Sequence, residues 1–447
     1  MKSLKLLLRF LTVGGLLLVL LIPLSLIGEA IEERKNYRAE AIQRIAQSSA
    51  GEQQVMAPLR VVPWTDTQQV EYADDRGVQR RRVERTGGTT LQTPASLDMK
   101  GEIVPDTRRL GLFEVRVYRW HATLSATFDA PLPQPAAGVV RTYGTPYLLF
   151  GVSDVRGLVG TPNLRVDGQS LRFEPGTRHY AQTISGVSAT LPAITAQSMP
   201  GRSVEMEFVL AGTQSLSIVP AADSNTIAVQ SKWPHPSFAG DFLPTERKVH
   251  PQDRGFEARW DISSLASQAQ GQIQHLGKAE VGAERAGIER LMIALVDPVD
   301  VYTQADRATK YGLLFVLLTF VGFALFELIK RLPIHPLQYL LVGLALAIFF
   351  LLLLSLSEHI AFWKAYLVSS AACIGLQFVY LSGVLRSWAR AAGFAAMLTA
   401  LYGVLYTLLV SEDNALLMGS LLLFAILGAI MWITRRVDWY ELAASLR

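Results

Sequence analysis

A single cysteine, Cys373, stands in 447 residues. Intrachain disulfides are excluded, so any folded domain must be held by its own core even in an oxidising compartment. Histidine is sparse as well, 7 in all. His121, His179, His250 and His275 lack the short His-x-x-His or His-x-x-x-His spacing of a zinc site. There is no Gly-x-x-x-x-Gly-Lys-Ser/Thr phosphate loop, no dinucleotide fingerprint and, in the long polar middle of the chain, no Gly-x-Ser-x-Gly elbow. Nucleotide coupling and elbow-type hydrolysis therefore have no support, and no cofactor or metal site is expected. No repeat of fixed period and no low-complexity tail occurs.

What is abundant is apolar sequence: 50% of residues are hydrophobic and 18% charged. About 20 apolar residues cover the ~30 Å hydrocarbon core of a bilayer. Six runs of that kind are present, at residues 10–27, 311–329, 337–356, 361–385, 391–410 and 415–433. The basic balance, a net charge of +4, needs no nucleic-acid partner, because Lys and Arg collect at the cytoplasmic ends of membrane helices.

The turns between the later runs alternate in sign. Lys330 and Arg331, Arg386 and Arg390, and Arg435 and Arg436 are basic, whereas Glu358 with His359 and Glu412 with Asp413 are not. Short cytoplasmic loops are enriched in Lys and Arg, so the basic turns and both termini are expected inside and the acidic turns outside. Lys2, Lys5 and Arg9 agree with this. Arg34, Lys35, Arg38, Arg307 and Lys310 fall on the proposed outer side against the rule, but long exported segments largely escape it. The first run has a rival reading as a cleaved secretory signal, with Gly28-Glu29-Ala30 as a weak cleavage site. Its length exceeds the ~7–15 residues of a signal core, which favours an uncleaved anchor.

Four segments result: residues 1–28 as cytoplasmic N-terminus and first span, 29–310 as an exported domain, 311–434 as a five-helix bundle, and 435–447 as a cytoplasmic tail. The expected fold class is an α+β membrane protein with a large antiparallel β-rich periplasmic domain inserted between helices 1 and 2. About 280 residues suffice for an independent core, in one domain or two.

Within the exported part, residues 29–47 are charged, carry Ile31, Ile42 and Ile45, and contain no proline. They are expected to continue the first membrane helix as a stalk. Alternation of period two then marks strands at 113–124, 147–152, 171–173, 204–210 and 226–229. Asp167-Gly168 and Pro175-Gly176 signal turns. Residues 130–138 and 185–201 are expected as surface loops, and Arg80, Arg81, Arg82 and Arg85 as a solvated strand edge, with lipid head-group contact as the alternative.

The most unusual string is residues 233–244, WPHPSFAGDFLP, whose three prolines restrict the backbone to extended and turn geometry. One reading joins His235, Ser237 and Asp241 as a nucleophilic relay or metal site. The other makes the string a rigid loop whose aromatics, Trp233 and Phe242, cap the core. Relay catalysis needs a positioned nucleophile, base and orienting carboxylate together, and the structural reading is favoured. Ionisable residues are costly at mid-bilayer and often functional there, yet here they keep to the ends of the runs. Glu327 lies four residues before Arg331, a favourable ion-pair spacing, and Glu358 and His359 lie at an outer end. They read as boundary residues or, alternatively, as a proton path. Gly343 with Ala347 and Ala371 with Gly375 would let helices approach closely.

Residues 233–244, 306–311 (DRATKY), 335–343 (HPLQYLLVG), 353–359 (LLSLSEH) and 434–440 (TRRVDWY) together resemble the CreD family of bacterial inner-membrane proteins, associated with cell envelope integrity. The resemblance runs along nearly the whole chain and departs from the family pattern at Ala361 and Asn414. It implies an inner-membrane location and a link, through its regulon, to a two-component system and envelope stress. It carries over no catalytic residue. The leading expectation is a non-enzymatic envelope protein whose periplasmic domain binds or senses an envelope protein, lipid or cell-wall component, in addition to the bilayer itself. A transporter using the C-terminal bundle, with Glu327, Glu358 and His359, is the first alternative. A membrane-tethered hydrolase using His235, Ser237 and Asp241 is the second. Ligand and oligomeric state are not legible.

Overall fold

The computed structural model describes residues 2–73, 79–132, 134–194, 199–250, 255–276, 287–296, 301–330, 335–410 and 415–435. Its contacts divide the chain into two compact units. One comprises Met1–Arg38 with Val299–Arg447, the other Ala39–Pro298.

Eight α-helices occur among the described residues: α1 Lys2–Ser48, α2 Ala269–Leu276, α3 Val301–Lys310, α4 Gly312–Lys330, α5 Pro336–Ser357, α6 Phe362–Val384, α7 Trp388–Val410 and α8 Ala415–Thr434. The expected stalk is present, since α1 runs unbroken from the apolar run into the charged segment. In the helical unit it buries Leu20, Leu24, Ile27 and Ile31, a seam spaced by three and four as an amphipathic helix requires. The helix meeting the length and hydropathy needed to cross a membrane at the N-terminus is Gly14–Ser48, and α5, α6 and α7 qualify as well. Val301–Lys310 with Gly312–Ala324 would make a fifth crossing, bent by 43°. The sixth expected run forms α8.

Local chemistry explains where α5 begins. His335 accepts the Leu337 amide on its ring, Gln338 accepts the His335 amide, and Pro336 occupies the first turn. This reciprocal capping satisfies amides that a helix start leaves bare, and it gives the HPLQ string a structural reason. Tight packing follows at Gly343, where a side chain would meet Leu20 and Phe320. The second small pair makes no such approach, with nothing near Gly375. Ala371 and Gly375 are exposed, and α6 buries Tyr366, Ser369, Cys373 and Gln377 instead.

The second unit is two β-sheets enclosing one apolar core. The first sheet runs in the order Pro236–Gly240, Leu291–Leu295, Ser215–Val219, Gln53–Ala73, Tyr147–Val152, Gly186–Thr190, Glu174–Pro175. Gln79–Gln92 and Val139–Tyr143 also pair with the long Gln53–Ala73 strand. The second runs Glu246–His250, Gly255–Ser263, Ser224–Ser231, Ser96–Leu110, Phe113–Thr127, Ser203–Thr213, Leu158–Val166, Gln169–Leu171. The expected antiparallel pattern holds for most pairs. Two are parallel: Gln53–Ala73 with Ser215–Val219 and Ser96–Leu110 with Ser224–Ser231. These partners lie far apart in sequence, beyond what local turn signals report.

Alternation predicts the faces well. In Phe113–Thr127 every second residue from Tyr118 to Ala126 is buried, with Trp120 fully enclosed and meeting Phe208 edge to face at 5.4 Å. Asp167-Gly168 forms the expected hairpin, both residues at positive φ as a two-residue primed turn requires. The 185–201 segment departs from expectation, because Gly186–Thr190 is a largely buried strand paired with Tyr147–Val152. The arginine tract lies in Gln79–Gln92, an exposed ribbon strand.

One charge is sunk in the core. Arg60, 1% exposed, donates to Gln92 Oε1 at 2.8 Å and Ala130 O at 3.0 Å and lies over the Phe128 ring. Burial pushes its pKa down to about 10 because the charged form is poorly solvated there. The guanidinium ties the strand to the segment after Phe128, so it serves cohesion.

Candidate functional site

The 233–244 string is a strand set between two anchored aromatics. Pro236–Gly240 pairs antiparallel with Leu291–Leu295. Phe238 packs edge to face on Phe256 and Trp260, at 5.6 and 5.8 Å. The Trp233 indole donates to His235 O at 3.0 Å and Val296 O at 3.2 Å, while the Arg116 guanidinium lies 4.6 Å from its ring centre. Phe242 O accepts the Trp260 indole, and Asp241 accepts the Arg290 amide at 2.9 Å. No hydrogen bond joins His235, Ser237 and Asp241 among the described residues. The His235 ring sits against Trp233, and Ser237 and Asp241 stand four residues apart, roughly 13 Å along an extended chain. The geometry is that of a braced sheet edge.

In the helical unit, Glu358 is brought together with residues from two other elements. It closes α5 as its C-cap, its side chain only 7% exposed, and pairs with Arg34 of α1 at 3.3 Å. Tyr302 of α3 donates its phenol to it at 3.3 Å. A second pairing runs alongside, in which Asp306 of α3 meets Lys35 of α1 at 3.4 Å and Lys310 at 2.9 Å. Sequence reasoning named Glu358 and missed Arg34, Tyr302 and Asp306. The cations that disobeyed the loop-charge rule were the available signal, since three of them, Arg34, Lys35 and Lys310, are neutralised here. His359 turns away, its Nδ1 at 3.1 Å from Ser355 O. Glu327 lies in α4, but its side chain and Arg331 fall outside the described residues.

A groove of about 640 Å³ lies on the outer face of the second sheet. Strand register arranges its charges in rows, Lys100 beside Ala228 and Arg259, and Glu102 beside Gln230 and Glu257. Lys100 and Arg259 pair with Asp98 and Asp261 in the row below. The groove carries charges of both signs along its lining. Among the described residues no group of three or more His, Cys, Asp or Glu is placed to hold a metal.

At the seam between stalk and sheet, Asp154 is held below the ordinary carboxylate range by hydrogen bonds from Arg156. Arg156 also donates to Gln47 O at 2.6 Å, satisfying a carbonyl that the end of α1 leaves free.

Apolar helices of spanning length joined to a large β unit define a multi-pass membrane protein of the α+β class. Residues 5–440 match the family described as "Inner membrane protein CreD". The inner membrane protein CreD of Escherichia coli (strain K12) is 36% identical over 429 residues, covering 95% of this chain and 92% of that protein. The chain belongs to the CreD family of inner membrane proteins.

Proposed function

We propose that this is a non-enzymatic inner-membrane protein supporting envelope integrity, its β unit facing the periplasm as a binding or sensing module and its helices crossing the membrane six times. The observation that carries the reading is the Glu358 cluster. α1 and α3 are the two chain segments that lead into and out of the β unit, and both meet the cluster around the buried Glu358 carboxylate. A load or ligand on the β unit then has a defined route to α5. The groove over Lys100, Gln230 and Glu257 supplies a binding surface with charges of both signs, and the bracing of residues 233–244 favours a structural role over hydrolysis. Arg34, Asp306 and Glu358 share one end of the helices, which this reading places outside, with Trp388 and Trp432, both largely exposed, as interfacial residues of the opposite side.

The test is complementation of a strain lacking the protein, scored by resistance to detergent, with accumulation checked for every variant. Glu358→Gln and Arg34→Gln should fail alike, whereas His235→Ala with Ser237→Ala should complement. A proton path through Glu358 would leave Arg34→Gln active, and that outcome would return the transporter reading. Loss in the His235/Ser237 variant at normal accumulation and stability would return the hydrolase reading.

A further inference from the structure

The hairpin that joins Ser96–Leu110 to Phe113–Thr127 outruns the strands beside it. Pairing with Ser224–Ser231 stops at Ile103 and pairing with Ser203–Thr213 stops at Val117, whereas the two hairpin strands stay paired as far as Leu110 opposite Phe113. From Val117 to Leu112 the ribbon projects roughly 17 Å past the sheet, at about 3.4 Å per residue. Its base is anchored, with Val115 1% exposed and Arg116 over the Trp233 ring. The tip is open. Leu110 and Leu112 are 38% and 51% exposed, and Arg108 and Arg109 just behind them are exposed as well.

Gly111 and Leu112 form the two-residue turn, and Gly111 takes φ +61°, as the first central position of a type II′ turn requires. Turns open to water ordinarily carry Asn, Asp or Ser beside the glycine; here leucines stand on both sides of it. Arg109 donates to Glu114 at 2.9 Å, and Arg108 forms no ion pair among the described residues. An apolar point with cations one step behind suits a bilayer surface, where leucine enters the acyl boundary and arginine stays with the phosphates.

The hairpin leaves the β unit at a particular end. Thr213 Oγ1 donates to Ala50 O at 2.6 Å, Leu295 N to Gln214 O at 2.9 Å and Gln214 N to Arg116 O at 3.1 Å. Both chain connections to the helical unit, before Ala50 and after Leu295, therefore depart beside the base of this hairpin. The arginines of Gln79–Gln92 lie at the opposite end, because their partner strand Gln53–Ala73 starts next to Ala50 and runs away from it. We propose that the Arg108–Leu112 tip is a lipid-contact point, Leu110 and Leu112 entering the surface of the bilayer in which the helical unit sits and Arg108 meeting anionic head groups. The proposal depends neither on the envelope role nor on the side of the membrane that the β unit occupies.

Electron paramagnetic resonance on the full-length protein in lipid nanodiscs tests it. In a Cys373→Ala background a nitroxide is attached through Leu110→Cys or Leu112→Cys and, as a control, through Leu265→Cys, which is 97% exposed at the opposite end of the second sheet. Oxygen concentrates in the bilayer and a nickel chelate in water, so the ratio of their relaxation effects reports the phase around each label. In nanodiscs containing phosphatidylglycerol, labels at positions 110 and 112 should be relaxed more by oxygen than by the chelate, and the label at position 265 the reverse. Arg108→Gln, or phosphatidylcholine alone, should move the tip ratio toward the control. Tip labels as open to the chelate as the control overturn the proposal, and so do tip labels shielded from both reagents, which would mean cover by protein. A tip ratio unmoved by both changes overturns the anionic head-group contact.

Discussion

Substituting Glu358→Gln removes one charge and keeps the shape of the side chain, which isolates the electrostatic part of the α1–α3–α5 cluster. At 3.3 Å from Arg34, a gross attraction of about 5 kcal/mol follows from Coulomb's law at an effective dielectric constant of about 20. Arg34 is 43% exposed, so solvent screens the pair, and the desolvation of Glu358 offsets much of the remainder. A net contribution of about 1–2 kcal/mol is left, between the values for surface and buried pairs. Tyr302 adds a single long bond, worth about 0.5 kcal/mol. The affected event is local opening of α3, so amide hydrogen exchange over Val301–Lys310 is the appropriate assay. Exchange there should accelerate about 5–30-fold in Glu358→Gln and about twofold in Tyr302→Phe, with Phe113–Thr127 unchanged as the internal control. The Arg34→Gln/Glu358→Gln double variant should open no faster than either single variant. Additive effects in the double variant, or no acceleration in either single one, would refute the coupling.

Arg60→Ala should destabilise the β unit by about 3 kcal/mol, since it opens a cavity and strands Ala130 O and Gln92; tryptophan fluorescence during thermal unfolding reads this, and a change below about 1 kcal/mol would contradict it. Asp154 titrates below its ordinary value when folded, so its contribution is present above the unfolded pKa of 3.8 and is lost as pH falls through the lower folded value. Exchange of the Gly51 amide and the last turn of α1 should therefore be flat from pH 7 to about 5 once corrected for intrinsic rates, and Asp154→Asn should abolish the acid-side change. Trp233→Ala should cost about 2–4 kcal/mol of β-unit stability through its lost indole bonds and Arg116 contact, read by the same unfolding experiment, whereas Ser237→Ala should leave it within about 0.5 kcal/mol.

Much of the architecture could be read from the chain because its signals are local. Apolar length marked the helices, the absence of proline across residues 29–47 marked the stalk, and alternation in Phe113–Thr127 marked a half-buried strand. What failed was non-local. The parallel pairing of Gln53–Ala73 with Ser215–Val219 has no turn to announce it. On α6 both Ala371/Gly375 and Ser369/Cys373/Gln377 repeat every four residues, so periodicity offered two faces and only packing chose between them. Residues 233–244 read as a loop because three prolines outweighed five strand-competent positions, and the pairing with Leu291–Leu295 reversed that balance. Glu358 was visible as a boundary acid, but its partners are distant in sequence, and only the misplaced cations hinted at them.

A β unit on the periplasmic side of a membrane crossed six times leaves its own surface, and not the C-terminus, open to reagents outside the cell. In a Cys373→Ala background, Leu265→Cys marks the β unit at a residue 97% exposed, and a cysteine appended behind Arg447 marks the C-terminus. With a membrane-impermeant maleimide on spheroplasts, Leu265→Cys should be labelled at once and the appended cysteine only after lysis. Labelling of the appended cysteine in intact spheroplasts, or protection of Leu265→Cys, would contradict it.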